Sequence, residues 1–361
     1  MYKLIFPTKD TTLYSRHPDR NTGVDQILEL TKITSGSAID DLVGQFHYGS
    51  VNYISRILVD FDLRTISQSI VTNGITNPEF YLTIKATEAV HTQLQYTVYA
   101  NPISGSWRNG TGYYNSDAEV TNGASWTYRD GMDSGRTWHV AGGDYYSGSQ
   151  YDCTQSFNTE VPDIRMNVTK IVRLWLSGSI PQQGFIVKHD TTAENDDSVL
   201  GKLMFFSKDT HTVYIPRLEM FGGTVDMSGT SSISVVSGDD YVVYLKNLRE
   251  SYREQEVTKI RIGVRQRFPT ITYSTSSAYL STNRLPTDTF FQIMDSVTDE
   301  VLVPFHDPGT RVNCDTTGNY IVVDMDTLLP ERYYKLVFKT TTSDGMVNFT
   351  DENYAFKVYR V

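Results

Sequence analysis

Apolar residues in this chain come mostly in short runs that alternate with polar ones. In "LQYTVYA", Leu94, Tyr96 and Val98 fall on one side of an extended backbone and Gln95, Thr97 and Tyr99 on the other, the two-residue period of a strand with one covered face. "SRILVDFDL", "PEFYLTIKA", "IVRLWLSG", "GFIVKHD", "LMFFSK" and "TVYIPRLEMF" are of the same kind, rich in β-branched and aromatic residues and bounded by Gly, Asn, Ser or Pro. They predict half-buried antiparallel strands. Helical periodicity is scarce. "DQILELTK" fits an Asp25-capped helix and a strand equally well, and "NLRESYREQEV" is charged all round and predicts only a short surface helix.

Around "GGTVDMSGTSSIS", residues 222–234, small and polar residues cluster without a hydrophobic pattern, as in a linker. Beyond it, "DDYVVYLKNL", "EVTKIRIGVRQRF", "TFFQIMD", "EVLVPF", "NYIVVDMDTL", "RYYKLVFKTTT" and "YAFKVYRV" are spaced like the strands of a sandwich. The expectation is an all-β chain cut near residue 223. Residues 1–223 form a jelly-roll β-sandwich, and residues 224–361 an immunoglobulin-like β-sandwich portion, itself divisible near residue 275. No tandem repeat or coiled-coil heptad is visible.

The formal charge of −10 over 361 residues opposes the basic face that phosphate neutralisation needs, so nucleic acid is not an expected partner. No run is long and apolar enough to predict membrane insertion. The start, "MYKLIFPTKDTTLY", lacks the apolar stretch of a secretory signal, which predicts synthesis and assembly in the cytoplasm. Cys153 and Cys314 stand far apart and are expected as buried thiols in different domains, making neither a disulfide framework nor a metal-ligand set. The histidines occur singly, with no HExxH, GxSxG elbow, Walker loop or GxGxxG, so neither an enzyme nor a cofactor is expected.

Residues 123–148, "GASWTYRDGMDSGRTWHVAGGDYYSG", hold two of the four tryptophans in a glycine-rich stretch of no period. The succession "KDTTLY", "NTGVDQILEL", "SRILVDFDL", "WRNGTG", "GASWTYRD", "GGDY", "VTKIVRLWLSG", "GFIVKHD" and "LMFFSKDTHTVYIPRLEM" resembles the DNRLRE-type domain, a carbohydrate-binding-module-like jelly roll of bacterial surface and secreted proteins. The resemblance covers most of residues 7–220 and is tightest over Trp107, Gly110, Gly112, Trp126, Trp138, Gly142, Gly143 and Asp144. The insert "TSGSAIDDLVGQFHYGSVNYI" departs from the pattern.

Indole rings can seal the open end of a sandwich by burying large area on few rotatable bonds. Gly142 and Gly143 would let the backbone approach those rings, and Asp144 would cap a turn. The loop is thus read as a folded lid. In the alternative, Trp107, Trp126 and Trp138 stack on sugar rings. Asp60 and Asp62 share a strand face at about 7 Å, where two carboxylates could do acid-base work, but Asp62 is expected to cap the following turn and Asp60 to face solvent. "HDTTAENDDS", residues 189–198, lacks the Gly and terminal Glu of an EF-hand and is expected as a solvated loop. The sequons at Asn109, Asn167 and Asn348 are read as chance matches.

"GDDYVVYLKNLRESYREQEVTKIRIGVRQRFPT", "PERYYKLVFKT" and "FPTKDTTLYSRHPDRNTGVDQILEL" are similar to segments of structural proteins of tailed, marine T4-like phages. That similarity implies a virion component of tail, baseplate, neck or fibre, holding other virion proteins and copies of itself, with the insert at residues 34–54 covered in the particle. The alternative is a module for host-surface glycan. A polysaccharide-degrading enzyme ranks last.

Overall fold

The computed structural model describes residues 2–34, 52–72, 75, 77–115, 120–159, 161–236, 241–268 and 282–360. The chain is all-β, built mainly of antiparallel pairings with few helices. It divides into two units, one of Ile5–Gln68 with Glu79–Glu219, the other of Met1–Leu4, Ser69–Pro78 and Met220–Val361. Most of the insert at residues 34–54 and the cut considered near residue 275 lie outside the described residues.

In the first unit the large sheet runs Ala86–Val90, Gly201–Phe206, Ile27–Thr34, Asn52–Phe61, Phe185–His189, Gln95–Pro102, Cys153–Asn158, with Pro7–Tyr14 also paired to Asn52–Phe61. Every pairing in it is antiparallel. "DQILELTK" resolves as the strand Ile27–Thr34. A second sheet orders Arg217–Phe221, Glu79–Ile84 and Ile164–Asn167.

"IVRLWLSG", expected as a strand, lies in the helix Thr169–Leu176. Its Ile171, Val172 and Trp175 are buried while Lys170 and Arg173 are exposed, a stripe at helical spacing. A short apolar run fits either period, and packing decides between them. Here Trp175 meets the Phe185 ring at 4.6 Å.

The second unit has one sheet ordered Tyr241–Leu245, Val257–Gln266, Gly318–Asp324, Asn313–Asp315 and another ordered Ser251–Arg253, Val347–Tyr359, Arg332–Thr341, Thr289–Asp295, Val301–Val303. Alternation buries Ile260, Ile262 and Val264 in the first and Leu336, Phe338, Phe356 and Val358 in the second. The Tyr354 hydroxyl donates to the Val243 carbonyl at 2.6 Å, tying one sheet to the other. "NLRESYREQEV" forms no helix. Its Ser251–Arg253 is a strand parallel to Val347–Tyr359, because Tyr252, 1% exposed, buries its ring edge-on to Phe356 at 5.5 Å. The area that ring removes from water outweighs a weak helical propensity.

Candidate functional site

Residues 103–152 connect Gln95–Pro102 to Cys153–Asn158. They are held by scattered backbone bonds, including Ala124 N–H to Arg108 O at 2.8 Å and Gly142 N–H to Trp126 O at 2.7 Å. Asn21 fastens the loop: its amide donates to the Asn109 and Ala124 carbonyls, each at 2.8 Å, and its oxygen accepts from Gly112 N–H at 2.9 Å. An asparagine serves both roles because it carries donors and acceptors together. Sequence reading missed Asn21, which looks there like any loop asparagine.

Trp107 and Trp138 are buried with Leu13, Leu58, Ile103, Ala124 and Ile186. Their indole N–H groups donate to the Gln183 and Ser125 carbonyls, both at 2.8 Å. Neither ring offers a face to a sugar. Trp126 is half-buried, with the Arg56 guanidinium 5.1 Å from its ring centre. Gly142 has φ +90°, and a Cβ there would stand 2.8 Å from the Trp126 ring. Gly143 has φ +102°, and its Cβ would stand 3.0 Å from Ile186 Cδ1. Asp144 caps the turn by accepting from His139 N–H at 2.7 Å and Val140 N–H at 2.8 Å.

Asp62 accepts from Arg64 N–H at 3.0 Å and pairs with its guanidinium at 2.6 Å. Asp60 does not face solvent. It is 8% exposed, accepts from Phe61 N–H at 2.9 Å and Gln182 at 2.8 Å, and pairs with Lys9 at 3.1 Å. Burial raises its pKa, and Lys9 draws it back. A buried carboxylate requires such partners, so Asp60 serves packing and does not share a site with Asp62.

"HDTTAENDDS" is not a solvated loop either. Asp190 accepts from Thr192 N–H at 2.8 Å and caps the short helix Thr191–Asn195. That helix delivers the buried Glu194 to Arg56 Nη2 at 2.6 Å and Lys188 Nζ at 3.4 Å. Arg56 Nη1 also donates to Gly142 O at 2.8 Å. One arginine therefore holds the loop, the Trp126 ring and a buried carboxylate together.

In the second unit, the strands Arg332–Thr341 and Val347–Tyr359 pair Thr341 with Val347 and Lys339 with Phe349. Near their turn the apolar residues point outward: Met346, Val347 and Phe349 are 53%, 47% and 64% exposed. The Phe349 ring lies 6.0 Å from that of Phe305, and Lys339 Nζ lies 5.9 Å from the Phe305 ring. Grouped apolar side chains on a folded sheet form a surface suited to covering by another protein. No family model and no curated protein sequence matches the chain.

Proposed function

We propose that this chain is a structural β-sandwich protein of a tailed-phage virion, acting through protein-protein assembly. The observation that carries the reading is the apolar group Phe305, Met346, Val347 and Phe349 at the hairpin turn. Large apolar side chains scattered singly on a surface need no partner; a contiguous set marks an interaction site. The resemblance of the segments around residues 238–270 and 330–340 to phage structural proteins supports a virion as that assembly. In that setting the jelly-roll resemblance of the first unit describes a scaffold whose loop is a folded lid. Repetition around a symmetric tail or neck makes modest contacts collectively strong. Immunogold labelling of purified particles tests the reading, together with crosslinking mass spectrometry through Lys339. Labelled particles and crosslinks from Lys339 to another virion chain or a second copy are expected. Unlabelled particles would refute it.

A further inference from the structure

Among the described residues, the strand Val347–Tyr359 leaves most of one edge without a neighbouring strand. On one side Arg332–Thr341 pairs with it from Val347 to Val358. On the other, Ser251–Arg253 reaches only Lys357, Val358 and Tyr359. Natural sheets blunt such an edge with charge, a bulge or brevity. The middle of this one is blunted in that way: the register shifts between Leu336 and Phe338, Asn353 takes φ +53°, and Asp351, Glu352 and Asn353 are exposed. The run Val347–Thr350 has none of these devices, carrying neither charge nor proline and keeping regular register.

Two backbone hydrogen bonds fix which of its groups face outward. Thr342 N–H donates to Met346 O at 2.9 Å, and Thr341 N–H turns the other way, to Asp288 O at 2.9 Å. In an antiparallel pair, bonded and non-bonded positions alternate. Thr340 and Asn348 therefore face each other's backbone, whereas Val347 and Phe349, opposite Thr341 and Lys339, point their N–H and C=O groups away from Arg332–Thr341. No strand meets them among the described residues. The side chains at the same two positions are 47% and 64% exposed. Outward main chain and outward apolar side chain thus coincide at alternate residues, the pattern that an added strand reads.

We propose that this edge pairs with the same edge of a second copy, antiparallel about a two-fold axis through Asn348. The inference rests on reading the hairpin as the interaction surface and names its occupant. Self-pairing selects that axis. With Asn348 opposite its own copy, Val347 of each chain faces Phe349 of the other, and every outward N–H of these residues meets an outward C=O. An axis through Phe349 would set Val347 against Asp351, and one through Val347 would set Phe349 against Gly345 in the turn. The rows then read Lys339, Phe349, Val347, Thr341 across four strands, with no like charges opposite. A foreign strand would have to bring an open edge and two apolar side chains at the same spacing. A second copy carries both already, and the two-fold contact closes on itself.

Sedimentation velocity on the full chain, taken up to about 1 mM because so small a contact is weak alone, tests it. A monomer–dimer equilibrium is expected. Val347→Pro removes an outward N–H and spares the ladder to Arg332–Thr341, so it should dimerise at least about tenfold more weakly. Phe349→Ser, an exposed change, carries the same expectation should the proline variant not fold. Asn348→Cys sets two thiols across the axis at a closely spaced non-bonded pair and should oxidise to a covalent dimer. Thr350→Cys, which faces Met346 of the other copy in this register, should not. The native Cys153 and Cys314 are buried and free. A monomer at every concentration, a dimer undiminished by folded Val347→Pro or Phe349→Ser, or crosslinking of Thr350→Cys in place of Asn348→Cys would overturn the proposal. Particle labelling stands apart from this result: a monomeric chain found in labelled particles would refute the second copy and leave the virion reading in place.

Discussion

His189 is 1% exposed with neither ring nitrogen hydrogen-bonded, and burial, aided by the Lys188 and Lys32 charges, drops its pKa to about 3. Asp10, also buried, is pushed up to about 7 by burial, against the Lys208 N–H that its carboxylate accepts at 2.6 Å. The two act on stability with opposite sign. Between pH 6.5 and about 3 the unfolded chain protonates at His189 and the folded one does not, so that term loses stability as pH falls. Between about 7 and 3.8 the folded chain holds the Asp10 proton that the unfolded chain has released, so that term gains stability as pH falls. Each is limited to about 1.4 kcal/mol per pH unit. Relative to wild type, His189→Leu should therefore gain stability progressively from pH 6 to 4, and Asp10→Asn should lose it over the same interval. Urea midpoints across that range measure both, and parallel curves for the three proteins would contradict the assignment. The tryptophans divide in the same manner. Trp138→Ala empties a buried site and should cost about 3–5 kcal/mol, whereas Trp126→Ala, half-buried under Arg56, should cost less than half as much. Chemical denaturation of the two variants, side by side, decides this. The tryptophans are legible in sequence as a set, since large rings in a period-free stretch need a core; which of them is fully covered depends on Leu13, Leu58 and Ile186, residues of distant strands that pack with Trp107 and Trp138.

Among elements, the connection 103–152 has only isolated bridges and no ladder among its described residues, so its geometry rests on single contacts. Gly142 adopts φ +90° with the Trp126 ring 2.8 Å from where a Cβ would stand. Gly142→Ala meets strain and a clash together and should destabilise by about 2 kcal/mol, with a changed near-ultraviolet circular dichroism from the displaced indole. Unaltered melting would show that the turn can shift at no cost. The glycine pair was readable from sequence because only glycine takes such φ values freely. The helix Thr169–Leu176 was not, because eight residues with three buried positions satisfy a strand nearly as well.

For the molecule as a whole, the outward apolar residues at the turn between Arg332–Thr341 and Val347–Tyr359 are the feature through which the proposed assembly would act. Val347→Ser with Phe349→Ser changes exposed positions, so the fold should be retained within about 0.5 kcal/mol per site, while incorporation into particles falls. Sedimentation and thermal unfolding of the double variant establish that it folds, and quantification in purified particles reads the effect. Full incorporation of this variant would move the contact elsewhere on the surface.

The all-β class was written in the order of residues because alternation is a local property: side chains two apart share a face whatever the strand pairs with. The Asp144 and Asp62 caps were legible for the same reason, each acting within five residues. Asp60, Glu194 and Tyr252 were misread because their surroundings come from far along the chain. Glu194 meets Arg56 across 138 positions, and nothing near "TAEN" indicates that a guanidinium will neutralise it. Burial of a charge depends on a partner and on excluded water, and both exist only once distant strands have been brought into register.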